Sequence, residues 1–586
     1  MTTHAYLRGS FSRRSHVHAI PRHPRGSQAR VLLSSVFGPF ARDDEYGSRA
    51  VNPMELYHNQ VTRLQGPFSL RMFHGSWGLM LIQANVSARC ALLDFPSRAR
   101  FIEALQREAW DVIGLGAIPP NVGKVKEMCR LIRLYRPGAT IVVGGHVASV
   151  PGLERLIDAD HVVRGEGVAW FREFLGDEVD APLKHPVIRS GFGARAMGVP
   201  LGDAPEDTAA TLIPSVGCPL GCNFCATSAL FGGKGRFVHF YETGDELFDV
   251  MEQLEEASGT QSFFVMDENF LFHRRRALRL LELMKEHDKS WSLYVFSSAN
   301  VLKLYSVDEL VGLGISWVWI GLEGEESRYA KLKNADTRAL VRRLQDQGIR
   351  VLGSTIIGLE HHSLDNIDAA IDYAVAHDTE FHQFMLYTPV PGTPLHAEHQ
   401  AKGTLLSDDE VPLADAHGQL RFKHRHPHLP AGAETELLLR AFRRDFEVNG
   451  PSVMRVVRTQ LKGWLAHKHH PDARVRRRFE REAKGLGTTW AAGLWAARRW
   501  FSSRNPAVAA RLDEVLQQLF REFGPGARLA AATLGPVVAV ALWREERALA
   551  RGATREPATS WLPQALPSVT VRPAPAPVLE LDPVVS

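Results

Sequence analysis

Three observations predict an α/β fold that ends in a helical region. Short apolar runs rich in Leu, Ile and Val alternate with amphipathic stretches between residues 30 and 176, the pattern of a parallel sheet covered on both faces. A second strand–helix series between residues 209 and 430 supplies six strand units, most of an α/β barrel, whose eight units take about 250 residues. From residue 431 the spacing turns helical, as in "ETELLLRAFRRDF" and "RLDEVLQQLFREF". The boundaries that follow are a disordered basic leader (1–29), a first sheet domain (30–176), a linker (177–208), the partial barrel (209–430), a helical domain (431–555) and a disordered Pro-rich tail (556–586).

Composition bounds the function. The 586 residues are 45% apolar and 23% charged with a net charge of +4. That is a globular chain with ample core and no global signal for nucleic acid, so no nucleic-acid partner is expected. Five cysteines, an odd number, cannot form a fully paired disulfide scaffold; clustered thiols in a large chain point instead to metal binding in a reducing compartment, the cytoplasm. The leader, with Arg8, Arg13, Arg14, Arg22 and Arg25, lacks the continuous apolar run of a secretory signal. The longest apolar stretch, Leu529–Trp543, is broken by Gly535 and Pro536 and falls short of the ~20 residues that a membrane span needs.

In the first domain the strands are "RVLLSSVF", "CALLDF", "DVIGLG", "TIVVGG" and "HVVRG". Gly114, Gly116, Gly144 and Gly145 stand at strand ends, where glycine either terminates a strand or lets a ligand approach the backbone at the carboxyl edge. Cys90 and Cys129 fall in a strand and a helix and read as buried core thiols. In the second series, "TLIPSVG" leads into a cysteine loop and "SFFVMDEN", "WSLYVFSS", "ISWVWIGLEG", "IRVLGSTIIGLE" and "FHQFMLYTPVPGTPL" are the later strands. Two intervening helices open with capping boxes, Thr243 with Glu246 and Ser306 with Glu309.

The loop "SVGCPLGCNFCATS" places Cys218, Cys222 and Cys225 after the first barrel strand, where barrels carry functional residues. Structural zinc takes four ligands, usually in two pairs, and the nearest downstream histidine is His239, beyond a glycine-rich stretch. Bacterial ferredoxin clusters need a fourth cysteine, and none follows Cys225. A disulfide with one free thiol suits a cytoplasmic chain poorly. The remaining option is a [4Fe–4S] cluster on three thiolates with one iron open for an exogenous ligand, in a loop shaped by Gly217, Pro219 and Gly221.

"CPLGCNFC" resembles the CxxxCxΦC signature of radical S-adenosylmethionine (SAM) enzymes, with Phe224 as the aromatic before the last cysteine. The resemblance implies that SAM chelates the open iron and that one-electron reduction cleaves it to methionine and a 5′-deoxyadenosyl radical, which abstracts hydrogen from a substrate. "FVMDENF" looks like the family's second-strand end, making Asp267 and Glu268 candidates for the SAM amino group. "IGLEG" looks like the fourth-strand motif, making Glu323 a candidate for the ribose hydroxyls. "STIIGLE" resembles the fifth-strand motif that supports adenine, around Ile356 and Gly358, and "YTPVPGTPL" is similar to the sixth-strand closing motif. The first domain resembles the cobalamin-binding Rossmann domain that precedes the barrel in one class of these enzymes, through "DVIGLGAI", "IVVGGHVAS" and "VVRGEG". This implies cobalamin against Gly116, Gly144 and Gly145. The DxHxxG motif that supplies an axial histidine is absent, since the loop after the first strand reads "GPFARDDEYG"; the class also binds cobalamin without it. The resemblance spans roughly residues 30 to 400.

The implied activity is a cobalamin-dependent C-methyltransferase acting on a lipid or natural product. Two alternatives stand beside it: a radical SAM oxidoreductase, cyclase or C–C bond-forming enzyme that does not use cobalamin, and a non-catalytic metal-binding interaction protein. With no further cysteine for an auxiliary cluster, the electron is expected from an external flavodoxin- or ferredoxin-type donor. The histidine runs "KHRHPH" and "HKHH" read as solvated loops. In the helical domain, Arg476, Arg477, Arg478, Arg498, Arg499 and Arg504 lie near Trp490, Trp495, Trp500 and Phe501. The tryptophans read as core beneath a solvated basic face, with a peripheral membrane contact as the alternative.

Overall fold

The computed structural model describes residues 20–38, 45–50, 60–70, 74–191, 195–324, 332, 336–553 and 559–572. All five expected strands of the first domain form: β1 (Arg30–Ser35), β2 (Arg89–Asp94), β3 (Val112–Gly116), β4 (Thr140–Gly144) and β5 (His161–Val162). They run parallel in the order β2-β1-β3-β4-β5. Alternate residues explain the two covered faces. Val31, Leu33, Leu92, Val112 and Val142 pack under α1 (Trp77–Ala84) and α4 (Gly167–Leu175). Leu32, Leu93, Ile113, Ile141 and Val143 pack under α2 (Arg98–Arg107) and α3 (Val122–Tyr135). The strand order reverses between β1 and β3, which opens a crevice at the carboxyl edge of this sheet. Cys90 and Cys129 are buried on opposite faces.

The second sheet holds β6 (Arg189–Gly191), β7 (Thr208–Leu212), β8 (Ser262–Val265), β9 (Ser292–Ser297), β10 (Ile315–Glu323), β11 (Arg350–Ile357) and β12 (Phe381–Leu386). Strands β7 to β12 are the six expected parallel units of a partial barrel. Both capping boxes form, at the starts of Gly244–Ser258 and Val307–Gly312. Strand β6 is an addition. The expected linker pairs antiparallel with β7, Ser190 opposite Ala209, and buries His185, whose Nε2 accepts from the Ile213 amide at 3.0 Å. Pairing through the main chain needs no side-chain periodicity, so composition alone read this segment as a connector.

The helical domain closes the amino end of the barrel. Within the helix Ala473–Glu482, Arg478 is 2% exposed and donates to the carbonyl of Ile315, the first residue of β10. Glu482 binds Arg350 at the start of β11 (2.6 Å) and Ser292 at the start of β9 (2.9 Å). The basic surface expected here is therefore divided. Arg478 is interior, Arg477 pairs with Asp288, Arg498 with Asp513 and Arg504 with Glu546. Trp490, Trp495 and Trp500 pack half-buried against the core of this domain, as the core reading anticipates.

Both ends of the chain depart from expectation. From Ile20, which is buried, the leader is held: the His23 amide donates to the Phe174 carbonyl and Arg25 pairs with Asp111. Residues 1–19 lie outside the described residues. The Pro-rich tail is a strap as far as Arg572. Ser560–Leu562 adds antiparallel to the free edge of β2, Ser568–Val569 pairs with His185–Pro186, and Arg572 meets Asp249, Glu252 and Glu256. An edge strand offers unpaired N–H and C=O groups, and this short segment satisfies them despite its composition; residues 573–586 lie outside the described residues. The histidine runs are not simply solvated either: His424 and His467 are buried, the latter stacked 4.4 Å from Phe479.

Asp445 and Arg455 form a buried pair at 2.7 Å that joins the first two helices of this domain, Ala433–Asn449 and Ser452–His467. Removing one partner strands a charge: Asp445→Ala is expected to lower unfolding stability by about 3–5 kcal/mol. The double replacement Asp445→Leu with Arg455→Met should recover most of that loss, read as urea midpoints followed by tryptophan fluorescence.

Candidate functional site

The cysteine loop leaves the carboxyl end of β7. Cys218, Cys222 and Cys225 are all half-buried and unbridged. Gly217 and Gly221 take left-handed backbone (φ +91° and +65°), and a Cβ on Gly221 would lie 2.5 Å from Lys234. The tight turn thus requires glycine there. Cys225 caps α5 (Ala226–Leu230), its sulfur accepting from the Ser228 amide at 3.4 Å, while the Ser228 hydroxyl donates to the Cys218 carbonyl at 3.2 Å. Burial pushes the Cys218 thiol up to about 12, so metal binding there must release a proton. Among the described residues no three metal-binding side chains converge on a single-ion point.

The two acids after β8 have opposite fates. Asp267 is buried and its oxygens are committed, to Arg276 (2.6 Å), Ser215 (2.5 Å) and the Asn269 amide (3.0 Å). Burial alone would raise its pKa, but the Arg276 guanidinium prevails and holds it below the usual carboxylate range. In this structure Asp267 anchors the strand end through these partners. Glu268 is the open one. Its Oε2 is buried without a hydrogen-bond partner, and burial, then the charge of Asp267, push its carboxyl up to about 8. The Gly217 amide also hydrogen-bonds it, which ties it to the cysteine loop. Glu323 ends β10 buried, with φ +53°, at an irregularity in the pairing with β11. Backbone held in that region by a non-glycine residue concentrates at functional sites.

Phe224 and Ile356, distant in sequence, meet in one apolar cluster with Leu359, Tyr387 and Leu395. Gly358 does not face a free space. It takes φ +77° and a Cβ there would fall 2.2 Å from the Phe422 ring, so packing accounts for the need for glycine at this position.

A cavity of about 740 Å³ lies between the carboxyl edge of the first sheet and the loop that carries the cysteines. Gly116, Gly144 and Gly145 line one side, together with Gly114. Thr227, Leu230 and Phe231, just beyond Cys225, line the other, and Met385, His417 and Gln419 close it from the barrel. The glycines differ. A Cβ on Gly145 would meet the Ala117 carbonyl oxygen at 2.8 Å, whereas the nearest atom to one on Gly144 is 3.8 Å away. Gly144 therefore leaves room for a ligand, and Gly145 is required by the backbone. His146 bridges the two domains through Nε2 to the Thr227 hydroxyl at 3.2 Å. Sequence reasoning stopped at the glycine pair and missed it, although it is the next residue of the quoted "GGHVAS".

Inside the barrel, alternate side chains of adjacent strands form an aromatic wall. Phe264, Tyr294, Phe296 and Trp319 are partly exposed, with ring centres 4.7 Å (Phe264–Tyr294), 6.0 Å (Tyr294–Phe296) and 5.0 Å (Phe296–Trp319) apart.

Residues 71–175 match the B12 binding domain family and residues 212–374 match the radical SAM superfamily. The two matches fall on the first sheet domain and on most of the partial barrel, and the cofactors of the matched families are cobalamin, SAM and a [4Fe–4S] cluster. It is 31% identical over 196 residues to bacteriochlorophyllide d C-12(1)-methyltransferase of Chlorobaculum tepidum, across 32% of this chain and 42% of that one. It is 24% identical over 322 residues to bacteriochlorophyllide d C-8(2)-methyltransferase of the same organism, across 51% and 70%. The chain thus spans less than half of the first relative and about two thirds of the second. The solved radical SAM methyltransferase TsrM from Kitasatospora setae, with cobalamin and a [4Fe–4S] cluster bound, aligns over 78% of this chain and 99% of its own at 16% identity and a TM-score of 0.49.

Two expectations follow from the geometry. Gly145→Ala should destabilise the first domain by about 1–3 kcal/mol through backbone strain, while Gly144→Ala should fold normally and weaken cobalamin binding, read by thermal melts and by titration of the corrinoid absorbance. A carboxyl held protonated to about pH 8 disfavours the folded state increasingly as pH rises from the unfolded value of about 4.3. Glu268→Gln should therefore melt higher than the wild type at pH 8 in the ligand-free protein, with the difference vanishing near pH 5.

Proposed function

We propose that this chain is a cobalamin-dependent radical SAM methyltransferase that transfers a methyl group to a carbon of an apolar small molecule, a lipid or natural product. The observation that carries the reading is the shared cavity: Gly116 and Gly144 on the first sheet face the same space as Thr227 and Phe231 beside the cysteine loop. A group held on the first sheet and a group held at the cysteines would then act on one substrate without leaving the protein, the proximity that a two-cofactor transfer requires. When bound, the cluster would supply the electron that cleaves SAM, and the corrinoid the methyl group.

In this reading Cys218, Cys222 and Cys225 hold the cluster, and Glu268 receives the SAM amino group on its open oxygen. Glu323 meets the ribose, and Ile356 with Phe224 supports adenine. Asp267 positions Glu268 rather than touching the ligand. The wall of Phe264, Tyr294, Phe296 and Trp319 favours a substrate with apolar or flat surface, through burial and ring stacking. The electron comes from an external flavodoxin- or ferredoxin-type protein, because no cysteine follows Cys225, and the thiols call for a reducing compartment, the cytoplasm.

Anaerobic reconstitution with iron, sulfide and cobalamin tests the reading. With a reductant and substrate the protein should produce both 5′-deoxyadenosine and S-adenosylhomocysteine; 5′-deoxyadenosine alone, unaffected by cobalamin, would favour an oxidoreductase or cyclase. Cys218→Ala, Cys222→Ala and Cys225→Ala should each abolish reductive SAM cleavage together with the broad iron–sulfur absorbance, whereas Cys90→Ala should retain both.

A further inference from the structure

The longest helix, Pro506–Ala550, breaks at Gly524 (φ 65°, ψ −149°), and its second half leaves the helical core with one face uncovered. Ala527, Ala531, Gly535, Leu542 and Glu545 are buried and mark the inner side. The opposite side carries Leu529 (66% exposed), Val537 (64%), Val540 (48%) and Trp543 (47%). At 100° per residue these four fall on one stripe, about 21 Å long from Leu529 to Trp543. No other stretch of this length among the described residues exposes as many large apolar side chains.

Charge completes the pattern. Arg544, Arg547 and Arg551 continue the same stripe beyond Trp543, and all three are exposed. Arg547 lies over the Trp543 ring at 3.8 Å. The two acids of this half are turned away, Glu545 buried against Arg195 and Glu546 paired with Arg504. An apolar stripe bounded by unopposed arginines, with an aromatic at the junction, matches the boundary between acyl chains and anionic headgroups. By length and composition the helix could cross a membrane, but its inner face is packed on the protein, so it can only lie in the membrane plane.

We infer that the stripe Leu529–Trp543, with Arg544, Arg547 and Arg551, docks this protein on the surface of an anionic phospholipid bilayer. Membrane docking is independent of the chemistry proposed above, and it places the protein where an apolar substrate would concentrate. The test is flotation of the full-length protein with vesicles of pure phosphatidylcholine or of phosphatidylcholine containing one-third phosphatidylglycerol, at low and high salt. The protein should float with the anionic vesicles, less so at high salt, and Val537→Asp with Val540→Asp should weaken binding about tenfold or more while the circular dichroism is unchanged. Leu529→Gln and Trp543→Gln, milder changes at exposed positions, should each weaken it in the same direction if the double variant does not fold. Wild-type protein that stays at the bottom of the gradient with both vesicles overturns the inference, as does a folded double variant that floats like the wild type. It is equally overturned by sedimentation showing a dimer that Val537→Asp with Val540→Asp converts to monomer without any vesicle binding, because the stripe would then be covered by a second copy.

Discussion

Two parallel sheets in one chain turn their carboxyl edges toward a single space, and the rest of the structure serves to hold them that way. In a strand–helix unit the loops that can carry chemistry gather at the carboxyl edge, so the relative pose of the sheets decides whether their loops act together. Three contacts fix it. His146 after β4 meets Thr227 after the cysteines; Ser48 donates to Asp415 across the seam. Gly392 brings the end of the barrel so close to the first domain that a Cβ there would lie 2.5 Å from the Ser149 carbonyl oxygen. The last contact gives the glycine of "YTPVPGTPL" a mechanical role: any side chain would push the domains apart.

Closure at the far end is of a different kind. The amino ends of β9, β10 and β11 meet Arg478 and Glu482 in a buried interface where Glu482 serves both Arg350 (2.6 Å) and Arg478 (3.8 Å). Buried ion pairs add little net stability compared with apolar packing, but a broken one is severely destabilising. They therefore fix which surface of the helical domain seats under the barrel. The strap formed by residues 559–572 works similarly through main-chain pairing, covering the exposed edge of β2 and leaving the shared cavity untouched.

The contrast between Asp267 and Glu268 shows how one strand end separates structure from chemistry. Asp267 is fixed by Arg276, Ser215 and the backbone, and is stable as a charge. Glu268, its neighbour, is left with an unsatisfied buried oxygen and a raised pKa. A folded protein retains such an oxygen at a cost, and the cost is removed when a cation arrives. Neighbouring carboxylates pushed apart in pKa are a mark of functional sites.

Much was determined by the sequence itself. The β-rich runs of the first domain and the six barrel units are local patterns, governed by side-chain periodicity and loop length, and these strands formed where the chain indicated. The likeness of "CPLGCNFC" to a known signature was likewise contained in eight consecutive residues. Tertiary structure alone decided the rest, because it depends on what lies across space. Asp267 and Glu268 are equivalent as letters, and Arg276, Ser215 and the Asn269 amide separate them by binding Asp267 alone. Phe422 beside Gly358 and Ala117 beside Gly145 explain why each position needs glycine, and neither neighbour is near in the sequence. The tail and linker became strands because backbone groups pair without regard to composition. Leu529–Trp543, too short and too interrupted to read as a membrane span, became an exposed stripe only when the fold buried its other face.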